Sequence, residues 1–169
     1  ARVKLWGMEG TTRLLDAKEG VSYPTGTIES HVTYAAPPLD TLAQKRLVLL
    51  SPSKWDDLND VYFMELYRSV SNAGSVLALC CTLATETYHH WRVFTQGMEG
   101  ICLEFERQPL ERQLSILPGI EMRKVDYLKV GDLETLHSRE ADRLPYIKRE
   151  GFSDEREWRI VSTCAESAV

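Results

Sequence analysis

The segment K-R-E-G-F-S-D-E-R-E-W-R-I-V, residues 148–161, decides how the end of the chain is built. A strand over residues 155–163 would place successive side chains on opposite faces, because the side-chain period of a strand is two residues. Glu155, Glu157 and Arg159 then share one face of that strand. Two acids and an arginine on one strand face indicate either a functional site or an ion-paired wall.

Burial decides between these two interpretations of Glu155 and Glu157. Same-face neighbours on a strand lie ~6.5 Å apart. At an effective dielectric constant of ~20, two unit charges at that distance repel by about 2.5 kcal/mol, whereas in open water the repulsion is small. A buried face therefore needs a neutralising partner, and Arg159, Lys148 or Arg149 can supply it. An ion-paired wall and an acid that faces a substrate or cofactor both stay open.

Length and composition are those of one soluble domain. The chain has 169 residues, of which 43% are hydrophobic and 27% charged, and its net charge is −5. A single domain over residues 1–169 can bury a full core at this length. The acidic balance argues against general nucleic-acid binding, which relies on clustered Lys and Arg. No apolar run approaches the ~20 residues that span a bilayer, so no membrane partner is expected.

The four cysteines contain no C-x-x-C pair, which disfavours a zinc ribbon or a thioredoxin-type redox motif. Their apolar surroundings predict buried free thiols in a reducing compartment. We therefore expect a cytoplasmic protein.

Apolar periodicity and turn residues predict an α+β class, with a central mixed sheet flanked by helices. Residues 1–35 are the least readable, and strands over 3–6 and 29–34 would form an N-terminal strand pair. The remaining predicted strands are 47–50, 75–83, 101–105, 121–130 and 155–163. The predicted helices are 41–46, 60–71, 85–96, 109–117 and one from 132 to a break at Pro145.

Residues 51–60 form a strand-to-helix loop rich in acids, with Trp55 near its middle. Asp57 and Asp60 can satisfy N–H groups at the start of a helix, which is a structural role. A ligand-facing role is the alternative, since a tryptophan beside hydrogen-bonding groups can stack on a planar ring. The calcium-loop spacing is missing, so no metal is expected here.

His89 and His90 are adjacent on the predicted helix over residues 85–96. They point ~100° apart, so they cannot share one metal ion, and the i, i+4 spacing of helical zinc ligands is absent. Either His90 reaches a pocket, or this helix only packs, with Tyr88, Trp91 and Phe94 facing the core.

Several enzyme classes lack their sequence signal in this chain. The glycine-rich phosphate loop, the dinucleotide-binding G-x-G-x-x-G and the nucleophile elbow G-x-S-x-G are all absent. ATP hydrolysis, a Rossmann dehydrogenase and an α/β hydrolase are therefore disfavoured.

Three segments, in their order along the chain, resemble the bacterial domain-of-unknown-function family 2971. Residues 51–60 fit S-P-x-x-W-x-D-x-x-D, residues 100–105 fit G-x-C-L-x-F, and residues 148–159 fit K-x-x-x-F-x-x-E-x-E-x-R. The resemblance extends over about residues 34–161. Members appear among mobile and defence-associated bacterial genes.

The resemblance implies a layout similar to compact ADP-ribosyltransferases, with NAD as a substrate. In that layout Glu157 would stabilise positive charge on the ribose as nicotinamide leaves, Glu155 would assist, and Tyr34 would stack on a ring. The chain departs from the pattern before Tyr34, where many members have histidine and this sequence has Thr33.

Two function hypotheses follow. The first is an NAD-consuming transferase or glycohydrolase that uses Glu157 and Glu155, with Tyr34 and His90 around them. The second is a non-catalytic module that binds a small ligand or a partner protein. Its contacts would be the loop around Trp55, with Asp57 and Asp60, and the strand face that carries Glu155 and Arg159. A Mg²⁺-dependent nuclease built on the same acids is a third, weaker alternative.

Overall fold

The computed structural model describes residues 2–6, 12–16, 46–94, 102–133 and 138–165. It contains both strands and helices, and several strands follow one another in the order of elements, as is typical of the predicted α+β class. A seven-stranded sheet and a separate two-stranded sheet account for the strands of the described residues. The large sheet contains β1 Arg2–Trp6, β2 Thr12–Asp16, β3 Arg46–Leu50, β4 Ala73–Thr82, β5 Cys102–Glu106, β6 Ile120–Lys124 and β9 Glu157–Ala165, and the small one contains β7 Asp126–Leu128 and β8 Ile147–Arg149.

Four α-helices and three 3₁₀ segments connect these strands within the described ranges. The α-helices are α1 Leu58–Val70, α2 Tyr88–Phe94, α3 Arg107–Leu114 and α4 Val130–Leu133. The 3₁₀ segments are Pro52–Lys54, Ser138–Tyr146 and Glu150–Glu155. None of the helices in the described ranges has the length and apolar character needed to cross a membrane.

The strands β4 and β9 form the centre of the large sheet. They pair antiparallel from Ala73 opposite Ala165 to Thr82 opposite Glu157. Strand β6 pairs with β9, while β3 and β1 pair with β4, and β2 and β5 extend the sheet from these. All these pairings are antiparallel, and among the strands that the structure describes only β7 and β8 pair in parallel. The prediction of a mixed central sheet is therefore wrong, because the large sheet is antiparallel. A period of two in the sequence identifies a strand but not its direction.

The two faces of the central strands are covered by different helices. On one face, Leu79, Trp158 and Ile160 pack in a buried cluster that includes Leu110 and Leu114 of α3. On the other face, Ala78 and Val161 pack against Met64 of α1. Alternation along β9 therefore places Glu157 and Arg159 on the α1 side, beneath the helix that carries Asp60.

The predicted final strand begins two residues too early. Glu155 ends a 3₁₀ segment, and Arg156 then adopts a left-handed conformation with φ of 44°. The strand starts only at Glu157. Glu155 and Glu157 are consequently not strand neighbours, and the turn at Arg156 brings the Glu155 side chain to the same buried region.

Other boundaries differ by a few residues. Helix α1 is capped by Asp57, whose side chain accepts a hydrogen bond from the Asn59 N–H, rather than by Asn59 or Asp60. The predicted strand 121–130 is split into β6 and β7. Helix α2 begins at Tyr88, which is 77% exposed, so its predicted inward stripe is wrong at that residue. The predicted strand 29–34 lies outside the described residues, and so does the predicted helix 41–46 except for its last residue, Arg46, which begins β3.

Candidate functional site

Arg159 is the centre of a buried charge cluster between β9 and α1. Its side chain is 0% exposed. Its Nε and Nη2 donate to the two carboxylate oxygens of Glu157 at 2.7 and 2.9 Å. Nη1 and Nη2 donate to the two oxygens of Asp60 at 3.0 and 2.9 Å, and Nη1 also donates to the Pro145 carbonyl at 2.7 Å. Two acids and a backbone carbonyl thus surround the whole guanidinium group.

Lys148 links this pair of acids to a third. Its ammonium lies 2.6 Å from Glu155, 3.4 Å from Glu157 and 3.6 Å from Asp60. Only 11% of the lysine side chain is exposed. Three carboxylates therefore share two cations, and the cluster keeps one net negative charge if every group is ionised.

Burial and the two cations pull the pKa of the acids in opposite directions. Burial alone would raise the pKa of Glu157, but Arg159 and Lys148 outweigh it and lower that pKa to about 2. For Asp60, and likewise for Glu155, burial is the larger effect and the pKa is raised. Glu157 is therefore the member of the cluster that the surrounding charges keep most firmly ionised.

Side chains from other strands fix the backbone at Glu155 and Glu157. Thr82 donates a short hydrogen bond to the Glu155 carbonyl. The Tyr127 hydroxyl accepts a hydrogen bond from the Glu157 N–H at 2.8 Å. Burial is the main reason that the pKa of Tyr127 rises to about 12, so the hydroxyl stays protonated at neutral pH.

The thiols near the cluster are poor nucleophiles. Cys80 lies opposite Arg159 in the β4–β9 ladder. Burial and the negative charge of Glu157 raise the pKa of Cys80 and of Cys81. Since the thiolate is the reactive form, neither residue is suited to covalent catalysis.

The loop before α1 closes the cluster from outside. The Trp55 ring covers the Arg159 guanidinium, with 4.8 Å between Cζ and the ring centroid. Asp57 caps the helix and also accepts a hydrogen bond from Arg149 Nη2 at 3.2 Å. The tryptophan therefore stacks on a side chain of the protein, a use that the sequence alone did not distinguish from stacking on a ligand.

An open cleft of about 450 Å³ lies next to β8 and is lined by residues 128–130 and 149–152. Its lining includes the cations Lys129 and Arg149 and the ring of Phe152. Arg149 lies over that ring, with Cζ 5.1 Å from the centroid. Lys148 and Arg149 are consecutive in β8, and both contact the Phe152 ring. Lys148 also pairs with the buried acids, whereas Arg149 lines the cleft.

The structure brings together most of the residues predicted for the site. Arg159 contacts Asp60, Glu157 and Trp55, and two further links extend this group. Lys148 donates a hydrogen bond to Glu155, and Arg149 donates one to Asp57. His90 is buried, with its Nδ1 hydrogen-bonded to the Thr87 hydroxyl at 3.1 Å, and it is not among the residues that line the cleft. Tyr34 lies outside the described residues.

Sequence reasoning missed the cleft, and none of its seven lining residues was among the predicted site residues. No spacing rule connects residue 129 to residue 152, which lie shortly after the two strands of the parallel pair β7 and β8. Within the described ranges, the structure has no group of three or more His, Cys, Asp or Glu side chains arranged to bind a metal ion.

The fold and site define an α+β protein with a closed ionic cluster beside an open cationic cleft. Residues 90–160 match the model of the family described as Protein of unknown function (DUF2971). The resemblance drawn from the sequence is thus confirmed over this segment, which includes Lys148, Glu155, Glu157 and Arg159. Neither the curated proteins nor the solved structures gave a match to the chain.

Proposed function

We propose that this chain is a ligand-binding module, that its binding surface is the cleft lined by residues 128–130 and 149–152, and that the charge cluster supports the cleft wall. The observation that carries the proposal is that the cluster acids already have partners. Both oxygens of Glu157 accept hydrogen bonds from Arg159, and the residue is only 4% exposed. A ligand that took over these bonds would have to separate a buried ion pair, which typically costs about 3–5 kcal/mol.

The support of the wall runs through Lys148. This residue connects β8 to Glu155 at the end of the 3₁₀ segment that contains Phe152. Its ammonium also lies over the Phe152 ring, 4.8 Å from the centroid. Lys148 therefore connects both β8 and the 3₁₀ segment after it to the buried cluster. Such a connection favours a cleft that is already formed before a ligand binds.

The binding proposal predicts thermal stabilisation by a cleft ligand. We expect at least one of NAD, ADP-ribose, common nucleotides and other small organic anions to raise the melting temperature. At ~100 times its dissociation constant a ligand contributes about 2.7 kcal/mol, which corresponds to roughly 5–10 °C for a chain of this size. A differential scanning fluorimetry screen measures the shift.

A pair of variants locates the binding surface. Val130 lines the cleft and is 61% exposed, so Val130→Glu should obstruct binding without disturbing the core. Val70, 44% exposed at the end of α1, gives the matched control Val70→Glu. Loss of the shift in the first variant alone supports the proposal, whereas equal shifts in both variants, or no shift with any ligand, would reject it.

A second candidate is the NAD-consuming enzyme, with an ADP-ribosyltransferase-like fold and Glu157 as its acid. The observation that favours it is the low pKa of Glu157, about 2, at a buried position. A permanent negative charge in a dry environment is what a developing cation on a ribose would require. In this reading Glu155 assists, and Arg159 would have to release Glu157 when the substrate binds.

Nicotinamide release from NAD tests the enzyme candidate. The acid role predicts that Glu157→Gln lowers the release rate at least a hundredfold, because the charge is removed while the shape is kept. Glu106→Gln, which changes an exposed acid at the end of β5, should leave the rate unchanged. Release that is absent from the unmodified protein, or equal in the two variants, would remove this candidate.

We also propose the kind of gene that encodes the protein and the compartment in which it works. The family resemblance supports a bacterial gene of the mobile or defence-associated kind. The four cysteines form no disulfide, which supports a reducing compartment such as the cytoplasm.

A further inference from the structure

We infer that Arg149 is the ligand-contacting cation of the cleft, and that it binds the oxyanion of a small organic molecule in exchange for Asp57. This inference rests on the proposed binding function and names the class of ligand. The ligand would carry a phosphate or carboxylate group on an apolar body.

The contact between Arg149 and Asp57 is only half of a complete ion pair. Arg149 Nη2 donates to Asp57 Oδ1 at 3.2 Å. The neighbouring atoms of the same two groups, Arg149 Nε and Asp57 Oδ2, are buried and have no hydrogen-bond partner within the described residues. Arginine and a carboxylate commonly form two parallel bonds, so the guanidinium retains an unused donor.

Asp57 does not depend on Arg149 for its position. Its Oδ1 also accepts hydrogen bonds from the backbone N–H and the side-chain amide of Asn59, at 3.1 and 3.2 Å. The side chain of Asp57 is 9% exposed, whereas that of Arg149 is 40% exposed and lines the cleft. Arg149 is thus the partner that can turn, and Asp57 would remain as the cap of α1.

The cleft lining defines the ligand chemistry. A guanidinium presents two N–H groups in one plane, which matches two oxygens of a phosphate or a carboxylate. Lys129 adds a second positive charge and Glu150 one negative charge, so the lining carries one net positive charge. Leu128 and Val130 supply apolar surface for the body of the ligand.

Binding of model anions to three variants tests this exchange. The probes are phenyl phosphate and benzoate, which separate the two oxyanions, and benzyl alcohol as the neutral control, all measured by isothermal titration calorimetry. Arg149→Gln should weaken anion binding at least tenfold, because a charge-assisted bidentate contact is lost. Asp57→Asn should tighten binding by about three- to tenfold, because asparagine keeps the helix cap but no longer competes for Arg149.

A neighbouring acid controls for net charge. Asp56 is exposed, and Asp56→Asn changes the charge of the chain by the same amount without altering the Arg149 contact. We expect its dissociation constants to stay within twofold of the unmodified protein, with all variants melting within a few degrees of it. Equal tightening in Asp56→Asn and Asp57→Asn, weaker binding in Asp57→Asn, or unchanged binding in Arg149→Gln would overturn the exchange.

The two proposals fail in different ways. If a ligand from the thermal screen binds the cleft but the Arg149 and Asp57 variants bind it unchanged, the exchange is wrong and the binding function stands. If no anion binds any variant and Val130→Glu alters no ligand shift, the binding function is wrong as well.

Discussion

Replacement of Arg159 by methionine is expected to lower the free energy of unfolding by about 3–5 kcal/mol. The variant keeps the volume of the side chain but removes the donors that serve Glu157, Asp60 and the Pro145 carbonyl. Among the described residues, Lys148 would then be the only cation near those buried acids, and an uncompensated buried charge is costly. Urea unfolding at pH 7 measures the change.

Arg112 provides the control for this prediction. It is an exposed arginine on α3, and arginine and methionine have similar helix propensities. Arg112→Met should therefore cost less than about 0.5 kcal/mol. A cost below ~1 kcal/mol for Arg159→Met would mean that the cluster is not an energetic centre of the fold.

Acid should remove a large part of the stability that Glu157 provides. The pKa of this residue is about 2 in the folded protein, below its ordinary value of 4.5. Between these values the unfolded chain binds more protons than the folded one, so stability rises with pH in this window. The contribution is complete above pH 4.5 and is lost as the pH falls toward 2. A shift of this size corresponds to about 3 kcal/mol.

The other two acids act in the opposite direction. The pKa values of Asp60 and Glu155 are raised in the folded protein, so their own contributions favour folding at low pH and decline as the pH rises. Glu157→Gln removes the Glu157 titration, and it also removes a negative charge that helps to raise the pKa of Asp60 and Glu155, so both of those pKa values should fall in the variant.

Urea unfolding at a series of pH values from 7 to 2.5 gives the test. The stability difference between the unmodified protein and Glu157→Gln should be largest near neutral pH and shrink by about 2–3 kcal/mol at the acid end. A difference that is independent of pH would show that Glu157 has an ordinary pKa.

Strands that have a local sequence pattern could be predicted from the sequence alone. The apolar runs at residues 47–50 and 75–83 correspond to β3 and β4, and the period of two correctly placed Glu157 and Arg159 on one face. The neutralising role of Arg159 and Lys148 also followed from simple electrostatics, because two acids on a buried face need cations.

Contacts between distant residues could not be predicted in this way. Arg159 donates hydrogen bonds to Asp60, which is 99 positions away in the sequence. Arg149 donates one to Asp57, which is 92 positions away. The cleft depends on the parallel pairing of β7 with β8, for which the sequence has no local signal. The left-handed turn at Arg156 was also missed, because it is an uncommon conformation for a residue other than glycine.

The most direct test of whether the acids support the fold or contact the ligand combines two measurements on Glu157→Gln. Urea unfolding gives its stability, and titration calorimetry gives its dissociation constant for phenyl phosphate. We predict a loss of about 3 kcal/mol in the free energy of unfolding. The dissociation constant should stay within threefold of the unmodified protein, because Lys148 keeps Glu155 and Asp60 as partners. Unchanged stability together with lost binding would contradict this account and place Glu157 in contact with the ligand.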